Sequence, residues 1–207
     1  QITEDELSVV VERAKALPVC EENITRESTI GFHHSVIASK LDAVLDAVKA
    51  GDLRHVFLIG GCDGAEAGRN YFSDYAEAVP DDCLILTLGC GKYRIRKHDY
   101  GTILGLPRLM DMGQCNDAYG AIMVASALAE AVGATVNDLP LTLVVSWFEQ
   151  KAVAVLQTLL ALGVKGITIG PKPPAFVTPN VFAVMQEKWD LRLTGADAKA
   201  ECAAALV

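Results

Sequence analysis

A chain of 207 residues that is 51% hydrophobic and 21% charged is long enough to bury a core of its own and too apolar to stay disordered. Its 18 basic and 26 acidic residues are interspersed, giving a formal net charge of −8. There is no basic tract or aromatic-basic interleaving of the kind nucleic-acid surfaces use, and no apolar run of the roughly 18 to 20 residues that cross a bilayer. Neither nucleic acid nor membrane is therefore expected as a partner.

The chain opens on Gln1 and is read as a segment of a longer protein. Its six cysteines, Cys20, Cys62, Cys83, Cys90, Cys115 and Cys202, follow no repetitive framework, and a hydrophobic chain of this size needs no disulfide staples. A reducing, cytoplasmic compartment is expected.

In chain order, Leu7, Val10, Val11, Ala14 and Leu17 recur at helical spacing, and Pro18 and a polar stretch to Thr29 follow. Residues 1–30 are read as a leading helix and linker. Val36, Ile37, Leu41, Val44, Leu45 and Val48 predict one long amphipathic helix from Phe32 to Ala50, stopped by Gly51. From there short apolar runs alternate with helical patterns. Strands are expected near 55–60, 84–89, 108–112, 141–147, 166–170 and 190–194, and helices near 66–79, 117–132, 149–162 and 179–188. The connection 91–107 reads as basic and irregular. This rhythm predicts right-handed βαβ crossovers, so 31–207 is assigned to one α/β domain. Its expected core is a Rossmann-like, mainly parallel sheet of about six strands with helices on both faces, preceded by N-terminal helices.

Four residues stand just past buried strands: Cys62, Cys90, Cys115 and Glu149. In an open α/β sheet, ligands bind outside the carboxyl ends of the strands, so these four would gather along one edge. Thiolates are soft ligands for iron, and iron–sulfur clusters are held mostly by cysteine. Any one free cysteine is as readily a small buried hydrophobe, but three at successive strand ends favour ligation. Glu149 opens a helix, where a carboxylate can simply complement the dipole; beside thiolates it would offer iron a weaker, displaceable ligand. Lys151, two residues on, could donate a proton or steady negative charge.

Other candidates carry less. Cys83 begins its strand and belongs to the opposite edge, while Cys20 and Cys202 are read as incidental. His33, His34 and His55 lack ligand spacing. Lys92, Arg94, Arg96, Lys97 and His98 either offset thiolate charge or form a solvated surface, and the sequence leaves both open. The loop Gly60-Gly61-Cys62-Asp63-Gly64 lacks the glycine order of a dinucleotide fingerprint and the lysine ending of a P-loop. A cluster-free nucleotide- or partner-binding module is thus the alternative of a different class.

Five stretches taken together resemble the C-terminal domain of the hybrid cluster protein family, also called prismane proteins or hydroxylamine reductases. They are Gly60-Gly61-Cys62-Asp63-Gly64-Ala65, Leu88-Gly89-Cys90-Gly91-Lys92, Gly113-Gln114-Cys115-Asn116-Asp117-Ala118-Tyr119, Val136-Asn137-Asp138-Leu139-Pro140-Leu141 and Ser146-Trp147-Phe148-Glu149-Gln150-Lys151-Ala152. The resemblance, running from about residue 31 to 190, implies a hybrid Fe–S–O cluster of the 4Fe-2S-2O type. In it Cys62 matches the cysteine that can carry a persulfide, Cys90 and Cys115 match thiolate ligands, Glu149 a carboxylate ligand and Lys151 a lysine beside the cluster. It further implies reduction of hydroxylamine to ammonia and water, a link to nitric oxide and nitrosative stress, and an NADH oxidoreductase as electron donor. The family's remaining hybrid-cluster ligands, and the four cysteines of a second iron–sulfur cluster, come from preceding domains. None of these is present here, so this stretch is expected to be cluster-free and inactive by itself. Carbon monoxide dehydrogenase, with a nickel–iron–sulfur cluster, shares the architecture, and Glu149-x-Lys151 favours the hybrid cluster instead.

Overall fold

The computed structural model describes residues 3–19, 27, 29–147 and 149–207, so Cys20, most of the expected linker and Phe148 lie outside the described residues. Six strands form one sheet in which every pairing is parallel: β1 (His55–Gly61), β2 (Cys83–Thr87), β5 (Leu109–Asp111), β6 (Leu141–Ser146), β7 (Thr168–Gly170) and β8 (Arg192–Leu193). Their spatial order is β5-β2-β1-β6-β7-β8. The chain thus winds outward from β1 through β2 to β5, returns, and winds outward the other way from β6. The reversal falls between β1 and β6, and such a switch point opens a crevice at the strands' carboxyl ends.

Alternation along the strands explains the two-sided burial. Phe57, Ile59, Cys83, Ile85 and Val144 face one layer, where they meet Tyr71, Phe72, Tyr75 and Ala76 of α4 (Asn70–Ala78) and Ala198 and Cys202 of α9 (Ala198–Ala204). Leu58, Leu84, Leu86, Met110 and Leu143 point the other way. There they pack on Ala47 of α3 (Leu41–Ala50), Val124 of α6 (Ala118–Ala131), Leu156 and Leu160 of α7 (Gln150–Ala161), and α8 (Pro179–Trp189). A strand buried on both faces must be apolar at every position, which is why these runs read continuously hydrophobic. Each fully buried Phe, Ile or Leu contributes roughly 1.5–3 kcal/mol, so both faces are firmly anchored.

Two local readings need correction. The single helix expected over Phe32–Ala50 is two, α2 (His34–Ala38) and α3, broken at Ser39–Lys40. Ser39 turns its hydroxyl back to the Val36 carbonyl at 2.7 Å, a local bond that competes with the helix ladder. The connection 91–107 is not irregular throughout: it holds a one-turn helix, α5 (Lys92–Ile95), and an antiparallel hairpin of β3 (Thr102–Ile103) and β4 (Leu106–Pro107). The leading helix α1 (Glu4–Lys15) forms as read, yet Leu7, Val10 and Val11 along its stripe are exposed.

Close backbone approach lines up the carboxyl ends of the strands. Ladder bonds continue past the ends of β1, β2 and β5: Gly61 N–H donates to Leu88 O at 2.9 Å, Cys62 N–H to Ser146 O at 3.1 Å and Gly89 N–H to Gly113 O at 2.9 Å. Gly61 has φ +101°, and a methyl there would overlap the Ser146 carbonyl. Gly61→Ala is therefore expected to cost more than about 1 kcal/mol and to part the ends of β1 and β6. A thermal melt matching the wild type would refute that packing argument.

Candidate metal centre

Cys62, Cys90, Cys115 and Glu149 follow β1, β2, β5 and β6, four neighbouring strands, so their spatial order along the edge is Cys115, Cys90, Cys62, Glu149. Register sets their level. His55 pairs with Cys83, and Cys62 and Cys90 each stand seven residues beyond that pair. Ile85 pairs with Leu109, which puts Cys115 one residue further along than Cys90. Adjacent strands are about 4.8 Å apart, so the four donors span an arc of roughly three such spacings before their loops converge. Among the described residues no three His, Cys, Asp or Glu side chains form a cage for one metal ion.

Convergence is visible in the electrostatics of Cys115. Burial first, then the neighbouring Cys62 and Cys90 thiols and the Glu149 carboxylate, push its thiol above the usual range, while the Lys151 ammonium pulls it down. The other four predicted residues thus all lie close enough to act on Cys115. Cys62 is buried, Cys115 half-buried and Cys90 exposed. A thiol must lose its proton before it can ligate a metal, so any metal binding at Cys115 would release a proton and strengthen as pH rises.

Local devices position the candidate residues. The Ser146 hydroxyl, itself buried, donates to the Cys62 carbonyl and ties that loop to the end of β6. Cys115 starts a 3₁₀ turn closed by Asp117, whose Oδ2 accepts the Gln114 N–H at 2.6 Å. Glu149 is the N-cap of α7 but makes no capping hydrogen bond with its side chain. Its carboxylate lies 3.8 Å from the Lys151 ammonium, and both remain substantially solvent-exposed. An apolar cavity of about 420 Å³ beneath this edge reaches Cys115 and Trp147.

The residues set aside lie elsewhere. Cys83 is fully buried at the amino end of β2, and Cys202 is fully buried on α9. Burial raises both, to about 12 and about 11 respectively. In the native, metal-free state iodoacetamide is therefore expected to modify Cys90 first and to leave Cys83 and Cys202 untouched until unfolding, because only a thiolate reacts. Peptide mapping after alkylation checks this; early labelling of Cys83 would contradict it. His33 caps α2 by accepting the Ser35 N–H, His55 is hydrogen-bonded to Thr142, and His98 pairs with Glu77.

Sequence reasoning missed Arg69, Asp63 and Asp111. Arg69 is 2% exposed, and its guanidinium donates to Trp147 O at 3.0 Å and Cys62 O at 3.4 Å while pairing with Glu66 at 2.6 Å. Asp111, in the apolar run Leu109–Met112, accepts from the buried Lys92 at 2.9 Å. A charge inside a continuously apolar strand was the available signal, since buried charges need partners. Gly64 leaves room for Arg69 and Glu66, and α4 begins only at Asn70. The glycine loop is therefore filled by its own protein neighbours rather than open as a phosphate cradle.

Fold and site define a parallel α/β domain presenting three thiols and a carboxylate at its topological switch point. A family model described as the Prismane/CO dehydrogenase family matches residues 2–201, and the chain belongs to that family. It is 59% identical over 183 residues to a hydroxylamine reductase of Moorella thermoacetica, covering 88% of this chain and 43% of that protein. To the hydroxylamine reductase of Escherichia coli strain K12 it is 54% identical over 191 residues, 91% of this chain and 34% of that protein. The chain therefore spans well under half the length of these relatives. Among solved structures, carbon monoxide dehydrogenase IV from Carboxydothermus hydrogenoformans shares the fold at a TM-score of 0.71 and 17% identity, covering 98% of this chain and 39% of that one.

Proposed function

We propose that this chain is the cluster-binding C-terminal domain of a hydroxylamine reductase, with Cys62, Cys90, Cys115 and Glu149 as its share of the ligands to a hybrid Fe–S–O cluster. The carrying observation is the arc of three thiols and one carboxylate that strand order and register place at the carboxyl ends of four neighbouring strands, beside the switch point. The donor chemistry fits: soft thiolates suit iron and sulfide, and an arc about three strand spacings long suits a body wider than one ion. Sequence identity of 54–59% to proteins named hydroxylamine reductase supports this over a nickel-containing carbon monoxide dehydrogenase site, since the dehydrogenase likeness is at 17% identity. Nickel analysis of the full-length protein separates the two. The strand order, two halves wound outward from β1 and β6, supports the Rossmann-like description.

When bound, the cluster supplies iron for the substrate nitrogen or oxygen and the electrons for cleaving the N–O bond. Hydroxylamine takes up two electrons and two protons to give ammonia and water. The chain's own part is to hold and protonate. Lys151 and Glu149, exposed together at the head of α7, form a proton path from solvent to that edge, Lys151 donating and Glu149 passing protons on. The remaining ligands, a second iron–sulfur cluster and the docking site for an NADH oxidoreductase would belong to the other domains of the polypeptide. Nitric oxide is a second small substrate of the same class, and free thiols suit a reducing cytoplasm.

The test is turnover by the full-length protein. Reduced viologen and hydroxylamine should yield one ammonia per two electrons, and Lys151→Met should lower kcat by roughly 100-fold, the scale of general acid catalysis. Absence of ammonia with an iron-loaded protein would refute the substrate assignment.

A further inference from the structure

Three cations link the ligand loops in pairs. Arg69 joins the Cys62 loop to the segment leading to Glu149 through the Cys62 and Trp147 carbonyls. Arg94, four residues past Cys90, reaches back to the Cys62 loop: it pairs with the Asp63 carboxylate and donates to Gly64 O at 2.7 Å. Lys92, two residues past Cys90, reaches across to the strand before Cys115, donating to Asp111 Oδ1 at 2.9 Å and Gly113 O at 3.1 Å. Asp111 Oδ1 also accepts the Gly113 N–H at 2.9 Å, so a single carboxylate oxygen fixes the turn into Cys115. Each gap in the arc Cys115–Cys90–Cys62–Glu149 is bridged by one of these side chains.

We propose that Arg69, Lys92 and Arg94 are positioning residues that assemble the ligand arc before any metal arrives. This rests on the cluster reading above. The physical case is that loops at strand ends are free to splay, and three thiolates with a carboxylate repel one another. Charge-assisted bonds to loop carbonyls and carboxylates hold the loops together against that repulsion. None of the three needs to touch iron. Partners of this kind typically set metal affinity by about 10- to 100-fold.

Arg94 gives the cleanest test, because its pair with Asp63 is only part-buried, with side chains 25% and 34% exposed, and its loss should leave the fold intact. Arg54 and Asp82 form an ion pair at the opposite edge of the sheet and serve as the control. In the full-length protein, iron and labile sulfide would be followed during anaerobic reconstitution with ferrous iron and sulfide, alongside the EPR signature. R94Q and D63N are each expected to raise the half-loading iron concentration about 10-fold and to broaden the EPR lines. The double variant should be no worse than either single one, R94K should recover part of the loss, and R54Q should load like the wild type. Melting of iron-free R94Q and R54Q should fall by similar small amounts. Wild-type loading and an unchanged EPR signature in R94Q, or additive losses in the double variant, would overturn the inference alone. A wild-type protein that takes up no iron would overturn the cluster reading beneath it.

Discussion

Cys90→Ser in the full-length protein is expected to lower hydroxylamine-dependent turnover by more than about 100-fold and to reduce bound iron. Loss of a supporting partner already costs 10- to 100-fold, and a direct ligand must count for more. Cys90 is the informative choice because it is exposed, whereas Cys62 is buried and its replacement would confound ligation with packing. Exposed substitutions usually change stability by no more than about 0.5 kcal/mol, so the iron-free variant should melt with the wild type. Iron analysis, activity and a thermal melt together decide the matter. Normal iron and activity in the variant would remove Cys90 from the site.

Lys92→Met is expected to destabilise the fold strongly. The pair Lys92–Asp111 is nearly inaccessible, with side chains 6% and 7% exposed, and Asp111 Oδ2 is already buried without a hydrogen-bond partner. Its other neighbour is Arg96, at 3.8 Å. Removing the ammonium leaves a buried carboxylate largely uncompensated, which typically costs about 3–5 kcal/mol. At about 2–4 °C per kcal/mol for a domain of this size, the melting temperature should drop by roughly 6–20 °C. The double variant Lys92→Met, Asp111→Leu removes both charges and should regain most of that loss, short of the Gly113 N–H that Asp111 satisfies. A double variant no more stable than the single one would show that the buried charge is not the cause.

Much of this architecture was legible because strand and helix periods differ so sharply. The runs at 55–61, 83–87 and 141–146 are apolar at nearly every position, and only a strand covered on both faces requires that. Placing Cys62, Cys90, Cys115 and Glu149 just past such runs was enough to put them on one edge. Their order along that edge was not readable, since it depends on which way the chain winds from β1. Nor was the break at Ser39–Lys40, which rests on one side-chain bond inside an unbroken apolar stripe. The basic segment after Cys90 is not one uniform surface. Lys92 and Arg94 turn inward to Asp111 and Asp63, while His98 stays at the surface with Glu77. Which cation turns inward is decided by acidic partners 19 and 31 residues away, and no local pattern encodes that.

The claim that this domain holds part of a cluster site is tested most directly by anaerobic iron and acid-labile sulfide analysis, with EPR. It should be run on the full-length protein and on this 207-residue chain side by side. Stoichiometric iron and sulfide in the full-length protein, with little or none in the shorter chain, is the result expected of an arc that supplies some of the ligands and not all. Full-length protein that holds neither iron nor sulfide, under conditions where its cysteines are reduced and free, would contradict the account.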